Sequence, residues 1–213
     1  MKVIEFSNRV DIYAEQIDGS DKWFYCQVPN SVYPNDLLDT DYEFEGTRLI
    51  ILNIQGEMYE PIKREKNVYL SNPFYNVDES EFLVIRIDFN NQVIQLIKFS
   101  TMLIDDPTVI FEMPLQNGGD LINLLVVRNS DILAKYEDEK FNMFYPYKTS
   151  FNLEEKESVY AVNNDKFICS RWFENPDYKE EIITRSIPDG KIIDRKPGYA
   201  EIMPNGELWL LTK

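Results

Sequence analysis

Strongly apolar runs recur along this chain, each placed just after a short turn. The runs are Leu49-Ile50-Ile51-Leu52, Phe82-Leu83-Val84-Ile85, Leu121-Ile122-Asn123-Leu124-Leu125-Val126-Val127, Phe167-Ile168-Cys169 and Leu208-Trp209-Leu210-Leu211. The turns ahead of them are Glu45-Gly46, Glu79-Ser80, Gly118-Gly119, Asn164-Asp165 and Asn205-Gly206. The runs are near-continuous rather than alternating, which in a strand means that both faces are covered. No helical pattern of ten or more residues separates them. The spacers hold further strand material and a second set of turns at Gln55-Gly56, Asn90-Asn91, Asn129-Ser130 and Asn175-Pro176. Asn and Gly tolerate the positive φ of tight hairpin turns.

The steps between the first turns (79−45, 118−79, 164−118 and 205−164) are 34, 39, 46 and 41 residues. A period of about 40–45 residues is that of one propeller blade. The unit reads as strand, turn, apolar strand, turn, amphipathic strand and outer strand. Its third and fourth strands are clearest in Glu181–Ile187 and Lys191–Arg195, joined by the hairpin sequence Pro188-Asp189-Gly190. The stretch from Ser158 to Arg195 resembles one blade of a WD40-like or quinoprotein-like β-propeller. Residues Glu201–Leu210 resemble the first two strands of the next blade. The resemblance covers residues 40–213 and is carried by the last third. The Gly-His and Trp-Asp signatures of WD40 repeats are absent, so no family function or residue is carried over.

The expected fold is therefore all-β: a propeller of about five four-stranded blades in a single domain, 1–213. Its ring would be closed by N- and C-terminal strands, with Lys2–Phe6 and Val10–Gln16 completing the sheet begun by Glu201–Leu211. Six blades result if Trp23–Val28 starts another unit. A β-sandwich or open barrel is the alternative. Closure matters because it removes exposed sheet edges. The charge run Glu154-Glu155-Lys156-Glu157 reads as a solvated loop between units, and Tyr136–Lys140 as a hairpin extension.

Composition agrees with strands: 14% of the 213 residues are aromatic, and aromatic side chains fit a pleated surface. No stretch approaches the ~18 apolar residues of a membrane helix, and the start lacks the apolar core of a signal peptide. The net charge of −15 repels nucleic acid and anionic lipid and speeds encounters with basic partners. Cys26 and Cys169 lie in strand-like apolar runs and read as two reduced core thiols of a cytoplasmic protein.

The chain contains no histidine, which excludes Ser-His-Asp and Cys-His catalysis and every His-ligated metal. Dinucleotide and P-loop motifs are absent, so no cofactor is expected. Carboxylates remain. A glycoside hydrolase needs two of them about 5–10 Å apart, and some five-bladed propellers are such hydrolases. Asp41, Glu43, Asp78, Glu81, Asp120 and Asp165 are candidates, though nothing in their spacing selects a pair. Asp39, Asp41 and Glu43 share one strand face and could hold Ca²⁺; an exposed strand face is the commoner origin of such a trio, and no metal is expected.

Arg86 and Arg171 each close an apolar strand at the fifth position. Such an arginine must be paired or reach solvent. Either each pairs with a neighbouring carboxylate such as Asp88 or Glu174, or the two act as guanidinium forks for an anionic ligand at the ring axis. The aromatic cluster around Phe141, Phe144, Tyr145 and Tyr147 is the best interface candidate. The leading expectation is a non-enzymatic acidic module that binds a protein partner, including a basic one. The rival classes are a two-carboxylate carbohydrate hydrolase and a lectin-like, sugar-binding propeller.

Overall fold

The structure is a computed structural model that describes residues 13–30, 32–38, 43–76, 80–104, 106–117, 119–174 and 177–212. It is all-β, a propeller arrangement of four blades followed by a two-stranded unit. Blade 1 holds β1 (Glu15–Gln16), β2 (Trp23–Val28), β3 (Arg48–Asn53) and β4 (Met58–Tyr59). In blade 2 the inner strand is broken into β5 (Val68–Leu70) and β6 (Phe74–Asn76), followed by β7 (Glu81–Asp88), β8 (Val93–Ser100) and β9 (Thr108–Pro114). Blade 3 is β10 (Leu124–Val126), β11 (Leu133–Glu137), β12 (Lys140–Tyr145) and β13 (Thr149–Asn152). Blade 4 is β14 (Glu157–Asn163), β15 (Lys166–Phe173), β16 (Lys179–Ser186) and the first half of β17 (Ile192–Ile202). The second half of β17 pairs with β18 (Leu208–Thr212). The pairs of named strands are antiparallel and follow chain order, except that β5 and β6 both pair with β7; an isolated parallel bridge joins Arg128 to Ala161 of β14.

The apolar runs are continuous because side chains of opposite parity go to different neighbours. In β7 and β8, Phe82, Val84, Ile97 and Phe99 pack with Tyr25, Leu49 and Ile51 of blade 1. Their alternates Leu83, Ile85, Ile94 and Leu96 pack with Leu124, Val126 and Leu133 of blade 3. The next interface gathers Ala134, Phe141 and Met143 of blade 3 with Val159, Phe167, Cys169 and Ile183 of blade 4. Phe141 sits 5.3 Å from Phe151 and 5.5 Å from Phe167, ring centre to ring centre. The far face of blade 4, Ile168 and Ile182, is covered by Ala200 and Leu208 of the terminal hairpin.

The count of complete blades is four, where the turn spacing predicts about five. The fifth unit is present as the hairpin alone. Two of the five turns also have another place in the fold. Gly46 lies ahead of β3, the third strand of blade 1, and Gly119 lies ahead of β10, the inner strand of blade 3. Gly46 has φ +88°, and a Cβ there would sit 1.8 Å from the Glu65 carbonyl oxygen. That glycine marks a close approach between the loops leading to blades 1 and 2. Glu15–Gln16 is the innermost strand of blade 1, paired with β2, rather than part of a fifth sheet. Trp23–Val28 is the second strand of that same blade. Lys2–Phe6 lies outside the described residues.

The charge run before β14 is not a simple solvated loop. Glu157 is buried and receives both Nε and Nη2 of Arg185 at 2.6 Å, while Arg185 Nη1 donates to the Gly190 carbonyl at 2.6 Å. Glu154 accepts from Arg171 at 2.5 Å and also from Arg195. Breaking a buried pair leaves the surviving charge without compensation. Glu157→Gln is therefore expected to lower stability by about 3 kcal/mol or more, read as a shift of the denaturant midpoint.

Cys26 and Cys169 are free and buried. Burial pushes the Cys26 thiol up to about 11, with Glu15 adding to the effect. Burial likewise raises Cys169, next to Glu157. Since the thiolate is the reactive form, native protein at pH 8 should leave both thiols unlabelled by Ellman's reagent, and unfolded protein should release two equivalents. Rapid native labelling of either would contradict this packing.

Candidate functional site

A well-formed cavity of about 390 Å³ lies where blades 1, 2 and 3 converge at the entry end of their inner strands. Its walls are built from three local features. The chain leaving β2 turns through the short 3-10 helix Pro34–Leu38. Asn35 fastens that turn to blade 3: its Nδ2 donates to Asp120 at 2.6 Å, and its Oδ1 accepts from the Leu121 amide at 2.8 Å. Asp120 in turn caps the 3-10 turn Leu121–Asn123, accepting from the Ile122 amide at 3.1 Å and from Asn123 Nδ2 at 3.0 Å. The hydrogen bond from Asn35 leads the effects that hold the Asp120 carboxyl below the usual carboxylate range. Gln27 ties β2 to blade 2 by donating to the Leu70 carbonyl at 3.0 Å.

The lining of this cavity is neutral. Tyr33, Tyr69, Gln27, Asn30, Ser71 and Asn72 supply its polar groups, and Ile85, Ile87 and Leu124 are among its apolar ones. Among the described residues no Asp, Glu, Lys or Arg lines it, although 28% of the chain is charged.

The opposite end of the inner strands is organised by Arg128. Its guanidinium is 2.9 Å from Asp18 of blade 1 and lies over the ring of Tyr160 in blade 4, 5.1 Å from its centre. Its carbonyl accepts from the Val162 amide at 2.9 Å. The Tyr160 hydroxyl accepts from the Ile202 amide of the hairpin at 3.1 Å. One residue of blade 3 thus touches blades 1 and 4, at the rim of an open depression of about 240 Å³.

Arg86 and Arg171 lie on β7 and β15, the second strands of their blades, and both are engaged by carboxylates. Arg86 is 2.9 Å from Asp88 and 3.4 Å from Glu65, and it donates to Gln95 at 2.8 Å. Arg171 meets Glu154 and Glu181, with Glu174 absent from its partners among the described residues. The structure therefore does not bring the two arginines together at one site. Of the aromatic cluster, Phe141 is fully buried, Phe144 and Tyr145 pack half-buried between blades 2 and 3, and Tyr147 is exposed. Among the carboxylate candidates, Glu81 pairs with Lys98 at 2.8 Å, Asp120 is a cap, Asp165 sits in an exposed turn, and Glu43 is 3.6 Å from Lys66. Asp39, Asp41 and Asp78 lie outside the described residues. No cluster of metal-ligating side chains occurs among the described residues, and no described helix is long and apolar enough to cross a membrane.

A second candidate surface was not legible as a site in the sequence. The outer strands of the complete blades end in edges that resist pairing: β4 has two residues and β13 four, β9 carries Glu112 and Pro114, and the outer half of β17 carries Asp194, Arg195, Lys196 and Pro197. Short strands, charges and prolines are the usual protections of a sheet edge. β18 has none of them. Its sequence is Leu-Trp-Leu-Leu-Thr, and among the described residues it pairs only with β17. Trp209 and Leu210 on it and Tyr199 beside it are exposed.

No family model matches the sequence, and no curated protein matches it. The chain is similar to three solved structures at low identity. With the β-propeller domain of the Trilobed protease from Pyrococcus furiosus it shares 14% identity at a TM-score of 0.47, over 89% of this chain and 60% of that one. With a putative dipeptidyl aminopeptidase IV from Bacteroides ovatus it shares 11% at 0.48, over 91% and 35%. With an exo-β-1,3-galactanase from Phanerochaete chrysosporium it shares 11% at 0.38, over 86% and 50%. The chain thus spans between about a third and three fifths of the proteins it resembles.

Asp88 yields an acid test of the Arg86 pairing. Burial acts to raise its carboxyl, but the Asn91 backbone and side chain and the Arg86 guanidinium outweigh it and hold the group below its ordinary value of 3.8. A carboxylate depressed on folding adds stability that is present above its unfolded value and lost as pH falls through its folded one. Both Asp88→Asn and Arg86→Ala are therefore expected to be less stable at pH 7, by about 2 kcal/mol, and to lose less stability than the unsubstituted protein as the pH is taken below 4. Parallel melting curves across that range would refute the pairing.

Proposed function

We propose that this chain is a non-catalytic protein-interaction propeller, and that β18 accepts an extended segment of a basic partner. The observation that carries this is that, among the described residues, β18 is an uncharged, apolar edge with no strand on its outer side, beside four blades whose outer edges are all blunted. An extended peptide added to such an edge gains backbone hydrogen bonds from the strand and side-chain contacts from alternate positions. Trp209, Leu210 and Tyr199 supply large apolar and amphipathic area of the kind found at interface centres.

The chemistry of the partner follows from charge. The chain carries −15, and the hairpin itself presents Glu201 and Glu207 to solvent. A field of this sign speeds the approach of a basic partner and disfavours an acidic one. Absence of histidine and the neutral described lining of the cavity between blades 1, 2 and 3 support a binding role over catalysis.

The test places a photo-crosslinking amino acid at Leu210 and maps the captured peptides. Basic, extended segments are expected, with capture falling several-fold between 50 and 500 mM salt as the screening length shortens. Leu210→Lys puts a protecting charge on the edge and is expected to cut capture about tenfold with the melting temperature unchanged. Capture that ignores both salt and Leu210→Lys would sink this reading.

A further inference from the structure

We propose that the 390 Å³ cavity between blades 1, 2 and 3 is a binding site for a neutral saccharide, independent of the β18 edge. The inference begins with what the cavity excludes. Elsewhere this chain buries charge readily, as with Arg185 and Glu157 or Arg86 and Asp88. Here, in a chain of net charge −15, not one charged side chain among the described residues reaches the wall. A wall without charge has nothing to neutralise a phosphate, a carboxylate or an ammonium group, so a charged ligand entering it would lose hydration without compensation.

What the wall does offer suits a polyhydroxylated ring. Tyr33 belongs to the lining with 64% of its surface exposed, so its aromatic ring is accessible to a ligand. Its backbone is anchored, since its carbonyl accepts from the Asp36 amide at 3.1 Å at the head of the turn fastened by Asn35. Tyr69, half-buried on β5, brings a hydroxyl for which no hydrogen bond occurs among the described residues; burial alone raises it above its usual value. The amides of Asn30 and Asn72 are exposed beside it. A planar amide presents both donors and an acceptor, which matches the paired donor and acceptor character of neighbouring sugar hydroxyls. The apolar floor of Ile85, Ile87 and Leu124 suits the C–H face of the same ring. The volume lies within the range of small-molecule sites, about 300–1,000 Å³.

The floor and one wall are already fixed. Gln27 bonds the Leu70 carbonyl, Ser71 Oγ accepts from the Ile85 amide at 3.0 Å, and Asn35 clamps blade 1 to blade 3. A site held open in this way spends little binding energy on ordering itself.

The experiment is saturation-transfer NMR on the whole chain with cellobiose, maltose, lactose and chitobiose, and with an unsaturated chondroitin disaccharide as an anionic control. At least one neutral disaccharide is expected to bind saturably with Kd near or below about 1 mM, and the anionic one at least tenfold more weakly. Tyr33→Ser should weaken binding about tenfold with an unchanged melting temperature, since the side chain is mostly in solvent. Tyr69→Phe keeps the ring, removes the hydroxyl, and should weaken binding about fivefold. Leu210→Lys should leave it unchanged, which separates this site from the proposed strand-accepting edge. The proposal is overturned if none of the four sugars binds saturably, if the anionic sugar binds as well as the best neutral one, if Tyr33→Ser is without effect, or if the neutral peptide Ala-Asn-Ala binds more tightly than every sugar.

Discussion

Two-sided burial is the constraint on which the rest of this structure depends. Each blade is a sheet whose odd and even residues are both apolar, as Leu83 and Ile85 face one neighbour while Phe82 and Val84 face the other. Burying each such side chain contributes about 1.5–3 kcal/mol. A blade lacking one of its two neighbours would forgo about half of that. Blades of this kind are stable only in series, where the next unit covers each open face. The terminal hairpin does so by laying Ala200 and Leu208 on Ile168 and Ile182. Covering blade 4 moves the difficulty one step along, to the hairpin's own edge, and that edge is the strongest candidate for an interface.

Charge is distributed by the same logic. Where an arginine enters an apolar strand, a carboxylate accompanies it, as Asp88 does Arg86 and Glu157 does Arg185. These pairs sit among the second and third strands and the inner strand of their blades, away from the cavity wall. The remaining acids lie outward and give the surface its sign. The only described feature linking three blades through one polar side chain is Arg128, and its partner Asp18 is well exposed, so that contact adds register more than stability.

Much of the architecture was legible because it is local. The apolar runs are continuous because they are buried on both faces, and Ser158–Arg195 is one blade, as its hairpin sequences indicate. Pro188-Asp189-Gly190 makes the turn its residues favour, with the Gly190 amide donating to the Ser186 carbonyl at 2.8 Å. The blade count was less legible because turn chemistry reports a bend and not its place in a sheet. Gly46 has the same sequence signal as a hairpin glycine, yet its role is to let two loops meet. The charge run Glu154–Glu157 misled for a similar reason: its partner Arg185 lies 28 residues away, and no local pattern announces that distance. The cavity was invisible because its lining comes from three blades, and its informative property is an absence of charge that emerges only once those residues meet.

β17 is one continuous strand that serves two sheets. Ile192–Pro197 pairs with β16, and Gly198–Ile202 pairs with β18. The handover occurs at Gly198, whose φ of +137° and approach to the Leu211 carbonyl leave no room for a Cβ. A strand shared in this way cannot have its ends loosen independently. Ordering the hairpin would slow amide hydrogen exchange upstream in blade 4, and fraying of Ile192–Pro197 would in turn weaken whatever the hairpin holds. The handover glycine thus makes the far rim of blade 4 a remote reporter of occupancy at the chain's C-terminal edge.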